Sequence, residues 1–316
     1  ETAANLLKSS VIENAHADPA CADISANATL VDGDILMEQG RWEKALENYT
    51  KARVIYRKHC QDRVGQARAK RKSATIHILK GEFKLAEDYL NAALSSLLEV
   101  KHEYERARTY NELGVLYSIM GKLEKAQQYF QEELKIAASL HNQYLRMLGH
   151  SGLGHIYRQT LQWQRAKEEF AKALSLAETL GDRRQEGWIL LGVGRVEYFL
   201  GASHGQDGTS DQVREQSKQH YLKAYEHFNR ASQLLYEHNY RYRYVLSLLL
   251  IGKVILDTRD CNCLPSDAGA FYDQTDGAYK LDSLTKVRAL YDRALNGFEE
   301  MGCNYYTGKV LQHLCE

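Results

Sequence analysis

The sequence predicts an all-α protein built as an array of stacked helical hairpins, an α-solenoid. A motif recurs at a fixed spacing, because Leu113-Gly114-x-x-Tyr117 returns as Leu153-Gly154-x-x-Tyr157, 40 positions later. A small residue also recurs seven positions before each hairpin corner, and the 316-residue chain contains only two prolines, which interrupt helices. A fixed period of this size is typical of hairpins that bury their apolar faces against their neighbours.

The first 25 residues do not fit the repeat. Their short apolar pattern, which includes Leu7 and Val11, stops before Pro19. We therefore expect a tail or a capping helix at 1–25 and the repeat array at 26–316. Since the sequence does not begin with methionine, we also expect it to be a fragment or a processed product.

The hairpin corners set the register of the array. An alanine stands five positions after each of the first four corners, and a large apolar or aromatic residue stands nine positions after. The first five predicted corners are Gly40, Gly81, Gly121, Leu161 and Gly201. The small residues seven positions before the six corners are Gly33, Ala74, Gly114, Gly154, Gly194 and Gly252. We expect two helices to touch at each small residue, because a bulkier side chain would hold the backbones apart.

Two insertions interrupt this register, both at hairpin corners. Residues 202–212 are polar and rich in glycine, which predicts a loop. The pattern resumes as though the corner stood at 219, so this insertion spans about 202–219. A second insertion spans about 260–282, where aromatic residues leave open a mobile loop, a segment that folds onto the array or a contact with a second partner. A partial seventh hairpin then begins near Cys303.

These residues resemble the tetratricopeptide repeat. The 40-residue spacing, with Ala177-x-x-Leu180-Gly181-Asp182-Arg183 between hairpins, is similar to the long-repeat subclass that includes the Pins/LGN adaptors and rapsyn. The resemblance covers about residues 26–316. It implies a right-handed superhelix of about six hairpins and a partial seventh, with the first helices lining a concave groove. It also implies a non-enzymatic scaffold or adaptor that binds extended peptides in that groove.

One face of the first helices is expected to line the groove. Positions 13, 10, 6 and 3 before each corner share this face, because spacings of three and four return to one side of a helix. It carries six basic residues and one acidic residue. The candidate partner-binding residues on it are Arg68, Arg71, Arg108, Asn111, Arg158, Trp188, Arg195, Tyr198 and Lys253.

Two interpretations of this basic face stay open. In the first, the arginines are solvated or pair with acids of the chain itself. In the second, they hold an acidic segment of a partner protein, since the guanidinium fork binds carboxylates bidentately, while Trp188 and Tyr198 take its apolar side chains. The second interpretation predicts a protein-interaction scaffold that binds an extended, partly acidic peptide.

Three other functions are weighed against this prediction. A nucleic-acid-binding solenoid would use the same basic and aromatic face, but the 41 basic and 41 acidic residues balance, which makes nucleic acid a less favoured partner. A catalytic domain beyond the sequence would make the chain part of an enzyme. The third alternative is self-association through the open C-terminal repeat, since an uncapped end exposes apolar surface.

Motifs for catalysis, metals and membranes are weak. Gly149-His150-Ser151-Gly152 lacks the glycine that a nucleophile elbow needs two positions after the serine, and Cys261-x-Cys263 does not have the usual zinc spacing. We therefore expect no enzymatic activity, no cofactor and no metal site. We also expect no membrane span, since no run of 18 apolar residues exists, and a cytoplasmic or nuclear location from six scattered cysteines without a secretory signal.

Overall fold

The structure, a computed structural model, describes residues 19–207, 210–258, 263–264 and 283–302. Within these ranges every regular element is a helix, and Tyr56–Cys60 forms a π-helical turn after the second helix. The helices are α1 (Pro19–Glu38), α2 (Trp42–Ile55), α3 (Arg63–Lys80), α4 (Phe83–Glu99), α5 (Glu103–Ile119), α6 (Leu123–Ser139), α7 (Gln143–Gln159), α8 (Trp163–Leu180), α9 (Arg183–Asp207), α10 (Asp211–Glu237), α11 (Arg241–Asp257) and α12 (Ser283–Glu300). The all-α class and the hairpin repeat are confirmed.

The chain divides into two compact units, Glu1–Leu145 and Arg146–Glu316. In the first unit, the pairs α1/α2, α3/α4 and α5/α6 pack as hairpins, and α2 and α4 each also contact the helix that follows. In the second unit, α9 packs on α10 and α11 on α12, while α9 also contacts α8 and α10 contacts α11. Within each unit, neighbouring hairpins therefore pack against each other along the chain, as expected for a repeat array.

The core of each hairpin is a large side chain packed on a small residue. A Cβ atom added to Gly114 would lie 2.7 Å from the ring of Phe130, and one added to Gly154 would lie 2.7 Å from the ring of Phe170. These distances are too short for carbon atoms, so the ring occupies the space that a side chain would need. The prediction that small residues mark close helix contacts is confirmed at these hairpins.

The same contact recurs after both insertions. A Cβ on Gly194 would lie 2.5 Å from Phe228, and a Cβ on Gly252 would lie 2.6 Å from Tyr291. The register deduced across the insertions is thus confirmed, since each large residue stands nine positions after its implied corner. The fifth and sixth hairpins keep the packing of the others although each contains inserted residues.

The predicted corner at Gly201 and the predicted loop at 202–212 are wrong. Helix α9 continues to Asp207, and α10 begins at Asp211. The two helices have 25 and 27 residues, against 17 and 18 in α7 and α8. The inserted residues lengthen both helices, because the added turns pack on each other: Ser217 donates a hydrogen bond to the carbonyl oxygen of Gly201 at 2.7 Å.

Other predictions fall wholly or partly outside the described residues. These are most of the N-terminal tail (1–18), most of the second insertion (265–282 and 259–262) and the partial seventh hairpin (303–316). Helix α1 begins at Pro19, earlier than residue 26, where the array was predicted to start. The right-handed turn of the array stays a prediction. Over the described ranges, no helix combines the length and the apolar character that crossing a membrane requires.

Candidate functional site

In the first unit, two predicted groove arginines share one carboxylate of the chain. Arg68 Nε lies 3.0 Å from Glu105 Oε1, and Arg71 Nη2 lies 3.0 Å from Glu105 Oε2. Arg71 is 3% exposed and Glu105 is 4% exposed, so this ion pair is buried. Burial alone would raise the pKa of Glu105, but the charges of Arg71 and Arg68 outweigh it and hold the pKa below its usual value. The interpretation that arginines pair with acids of the chain thus applies to these two.

Asn111 and Arg108 also contact groups of the first unit. Asn111 Nδ2 donates a hydrogen bond of 2.8 Å to Glu133 Oε2 on α6. Glu133 is fully buried, and burial raises its pKa well above the usual value, which favours the neutral carboxyl group. The Arg108 guanidinium lies 5.2 Å from the ring centre of Tyr144, a cation–π distance. All four predicted residues of this unit therefore have partners within it.

Arg158 on α7 has a different environment in the second unit. Its Nε atom is buried and has no hydrogen-bond partner, and no carboxylate in the described part of the chain pairs with its guanidinium. Burial, and then the positive charge of Arg195 on α9, lower the pKa of Arg158 to about 9. A partly buried cation without a counter-ion is costly, and an anion would offset that cost.

His155 stands three residues before Arg158 on the same helix, and its Nε2 atom is buried without a hydrogen-bond partner. The ring packs edge-on against Phe170 at 5.0 Å and lies 5.2 Å from the ring of Trp188. Burial lowers the pKa of His155 well below its usual value, and the charges of Arg158, Arg195 and Arg243 act in the same direction. His155 is consequently neutral near pH 7.

Trp188 on α9 is covered by a further arginine from α11. The Arg243 guanidinium lies 4.3 Å from the ring centre of Trp188 and 4.4 Å from that of Tyr240. Its Nη1 atom donates to Gln185 Oε1 at 3.4 Å. Three first helices thus contribute to one group of side chains, which we call the basic-aromatic cluster and define as His155, Arg158, Trp188, Arg195 and Arg243.

Tyr198 and Lys253, the remaining two predicted residues, share an acid of α11. The Tyr198 hydroxyl donates a hydrogen bond to Asp257, and Lys253 Nζ lies 3.9 Å from Asp257 Oδ2. Lys253 also lies 5.8 Å from the ring centre of Tyr198. Their polar atoms are therefore engaged within the second unit, in contrast to those of Arg158.

The difference between the two units depends on one repeat position. Glu105 stands 16 residues before its corner, and Arg243 stands 16 residues before the corner at 259. Gln185 holds the same position in the fifth hairpin, and Leu145 holds it in the fourth. The position that neutralises Arg68 and Arg71 in the first unit therefore carries an amide and a further cation in the second. The neighbouring acid, Glu186, is engaged by Arg183 at 2.7 Å and Arg230 at 2.5 Å.

Sequence reasoning missed Glu105, Glu133 and Arg243 as parts of this face. It considered only the positions 13, 10, 6 and 3 before each corner, whereas Glu105 and Arg243 stand 16 before. Adding the position 16 residues before each corner to this set would have found both, since it lies three residues from position 13 and a spacing of three keeps to the same side of a helix. Glu133 gave no such signal, because it lies on the second helix of its hairpin.

Comparison with known proteins identifies the repeat. Residues 65–139 match the tetratricopeptide repeat family model. This stretch runs from Gly65 in α3 to the end of α6, and its second hairpin has the packing of Phe130 on Gly114 described above. This stretch therefore contains tetratricopeptide repeats, and the described helices outside it form hairpins of the same all-α kind. No curated protein matches this chain.

Solved structures share the fold of this chain at low sequence identity. A Rap protein complexed with competence and sporulation factor is 13% identical with a TM-score of 0.59, covering 99% of this chain and 78% of that one. The quorum sensor NprR from B. thuringiensis, in its apo form, is 14% identical with a TM-score of 0.51, covering 94% and 76%.

A third structure is a Signal Transduction ATPase with Numerous Domains that has a tetratricopeptide repeat sensor, from Pyrococcus horikoshii. It is 16% identical with a TM-score of 0.55. The match covers 92% of this chain but only 37% of that larger protein. At these identities the likeness concerns the fold. Membership of the long-repeat subclass stays a prediction.

Proposed function

We propose that this protein is a non-enzymatic interaction scaffold that binds an extended, partly acidic peptide of a partner protein through the basic-aromatic cluster. The observation that carries the proposal is Arg158, a partly buried cation whose Nε has no partner within the described chain. The shared Glu105 of the first unit shows how the same fold neutralises such arginines when it supplies the acid itself. In the second unit, the acid would come from the ligand.

The surroundings of Arg158 favour a peptide over a free small anion. Trp188 and Tyr240 place aromatic rings beside the cations, and Arg243 lies between them. Aromatic and arginine side chains contribute a large share of the energy in protein interfaces, since they combine apolar area with directed polar groups. A peptide that carries an acidic residue next to an apolar one would satisfy both parts of the cluster.

The comparisons support a protein or peptide ligand in general terms. One similar structure is a Rap protein in complex with competence and sporulation factor, and another is a quorum sensor. We place the scaffold in the cytoplasm or nucleus, where the scattered cysteines of the sequence would be kept reduced.

The test uses synthetic peptides in matched pairs, in which each Asp or Glu of one member is Asn or Gln in the other. Binding to the purified chain is measured by fluorescence anisotropy for the wild type and for Arg158→Glu. We expect acidic members to bind preferentially and Arg158→Glu to weaken them about 30-fold or more, because reversing one charge of a desolvated pair costs about 2 kcal/mol or more.

Arg165→Glu is the matched control. It makes the same charge change on α8, where the exposed Arg165 side chain contacts Gln162 at 2.8 Å, and its affinity is expected to stay within about twofold of wild type. Equal binding by Arg158→Glu and wild type, with circular dichroism unchanged, would remove the assignment. Binding of unrelated oligonucleotides with a steep salt dependence would favour the nucleic-acid alternative instead.

A further inference from the structure

The buried Nε2 atom of His155 is a second unsatisfied polar group beside Arg158. Both side chains lie on α7 three residues apart, a spacing that places them next to each other on one face of the helix. Neither His155 Nε2 nor Arg158 Nε has a hydrogen-bond partner in the described chain. A buried polar atom without a partner costs free energy, so two adjacent ones indicate a group that the ligand supplies.

Among the described residues, the charges that act on His155 come from three arginines. Arg158 lies on its own helix, Arg195 on α9 and Arg243 on α11. Helix α8 presents the uncharged ring of Phe170, and α9 also presents that of Trp188. The acid of α8 next to Phe170 is Glu169, which is engaged by His150 at 2.7 Å and Lys172 at 2.7 Å.

Close packing holds the imidazole in place. A Cβ added to Gly192 would lie 3.1 Å from His155 Cε1, so α9 approaches the ring at a residue that has no side chain. The edge-on contact with Phe170 restrains the ring from another side. A ring fixed in this way presents Nε2 in a defined direction, which favours recognition of one specific group.

We infer that His155 and Arg158 form one anion subsite, in which both side chains hold a carboxylate of the bound peptide and His155 takes up a proton from solvent as the carboxylate enters. This inference rests on the proposed function and adds to it how binding depends on pH. The proton makes both nitrogens of the imidazole donors, and a carboxylate oxygen accepts only.

The direction of the pH dependence follows from the charges. In the free protein, burial and three arginines disfavour the imidazolium form of His155. A bound carboxylate adds a negative charge beside the ring and offsets the arginines, so it raises the pKa of His155. Between the free and the bound pKa, each pH unit of acidification strengthens carboxylate binding by up to about tenfold.

The experiment follows His155 in the protein labelled with ¹³C-histidine by NMR. The His155 resonance is the one lost in His155→Gln, and its pKa is measured at constant ionic strength with and without small probes. N-acetylglutamate amide carries a side-chain carboxylate and N-acetylalanine carries a terminal one, so the two arms distinguish the source of the acid. N-acetylglutamine amide is the uncharged control.

At least one carboxylate probe is expected to raise the pKa of His155 by about one unit, equivalent to about tenfold tighter binding of that probe to the protonated form. The uncharged probe is expected to have no effect. Arg158→Gln should abolish the response, and Arg165→Gln should keep it. An unchanged His155 pKa in the wild type with both carboxylates present, or an equal response in Arg158→Gln, would overturn the inference.

The two proposals fail separately. Acidic peptides whose binding requires Arg158 but does not change with pH would overturn the proton uptake and leave the scaffold function. A carboxylate probe that raises the His155 pKa, with no acidic peptide bound more tightly than its amide counterpart, would support the subsite and overturn the peptide-binding function.

Discussion

Arg71 and Arg158 are both arginines on the predicted groove face of a first helix, but their counter-ions differ. Arg71 shares the buried Glu105 with Arg68, and Arg158 has no acid among the described residues. An ion pair of this kind is sensitive to the loss of one partner, because the other charge then stays buried alone. At the scale of residues, the candidate site is the place where the chain leaves a cation unpaired.

Glu133 is a buried acid whose effect on stability has the opposite sign to that of Glu105. The lowered pKa of Glu105 stabilises the fold above the ordinary pKa, and this contribution is lost as the pH falls through the folded value. The pKa of Glu133 in the folded protein is raised well above 4.5. As the pH rises, the unfolded chain therefore loses the proton of Glu133 at a lower pH than the folded protein does. Its contribution is therefore fully present below about pH 4.5 and is lost as the pH rises towards the folded pKa.

We expect Glu133→Gln to raise the free energy of unfolding near pH 7 by about 1–3 kcal/mol, because a neutral amide does not have to be kept protonated and still accepts the hydrogen bond from Asn111. Urea unfolding of the wild type and the variant at about pH 5 and about pH 8 measures this difference in the free energy of unfolding. The difference between wild type and variant should widen with pH. Glu132→Gln is the control, since Glu132 is exposed and paired with Lys135 at 2.6 Å. A wild-type stability that does not fall relative to the variant would contradict the expectation.

At the scale of elements, four hairpin corners have a left-handed backbone, and one of them lacks glycine. Gly40, Gly81 and Gly121 have φ values of 76°, 81° and 75°, and Leu161 has 59° at the equivalent corner. A side chain in this conformation is strained, whereas glycine adopts it freely. Leu161 is 66% exposed, so packing does not compensate for the strain.

We therefore expect Leu161→Gly to stabilise the protein by about 0.5–1 kcal/mol, with relief of backbone strain partly offset by the greater freedom of glycine in the unfolded chain. The reverse change at the equivalent corner, Gly121→Leu, should destabilise by a similar amount, since no atom lies within 4 Å of a Cβ built there. Thermal unfolding compares the two variants. Equal shifts of the unfolding temperature with the same sign in both variants would show that the left-handed corner conformation does not cause the change in stability.

Helix length is a second feature of the elements. The polar, glycine-rich residues 202–212 predict a loop, but α9 and α10 extend through most of this segment. The hydrogen bond from Ser217 to Gly201 and the close approach of these helices show that tertiary packing favoured added turns. Local composition is a weak guide where a neighbouring helix offers a surface, because packing outweighs differences in propensity of less than about 1 kcal/mol per residue.

At the scale of the whole molecule, the protein is a series of similar hairpins in two units, and stability is expected to be distributed along the chain. Gly114→Ala tests this. Its new methyl group meets the ring of Phe130 and is expected to destabilise by about 1–3 kcal/mol. Hydrogen exchange should show the largest loss of protection in α5 and α6 and smaller losses further along the chain. A uniform loss throughout the chain would show that the hairpins unfold as one cooperative unit.

The amino-acid sequence by itself determined the all-α class, the 40-residue period and the close approach of two helices at Gly154, because periodicity and the recurrence of small residues are local properties. The tertiary structure decided which cations have counter-ions. Glu105 neutralises Arg71 from 34 residues away, and Arg243 covers Trp188 from another hairpin. Such contacts depend on how neighbouring hairpins are rotated against each other, and a distance of a few ångströms decides whether two charges pair.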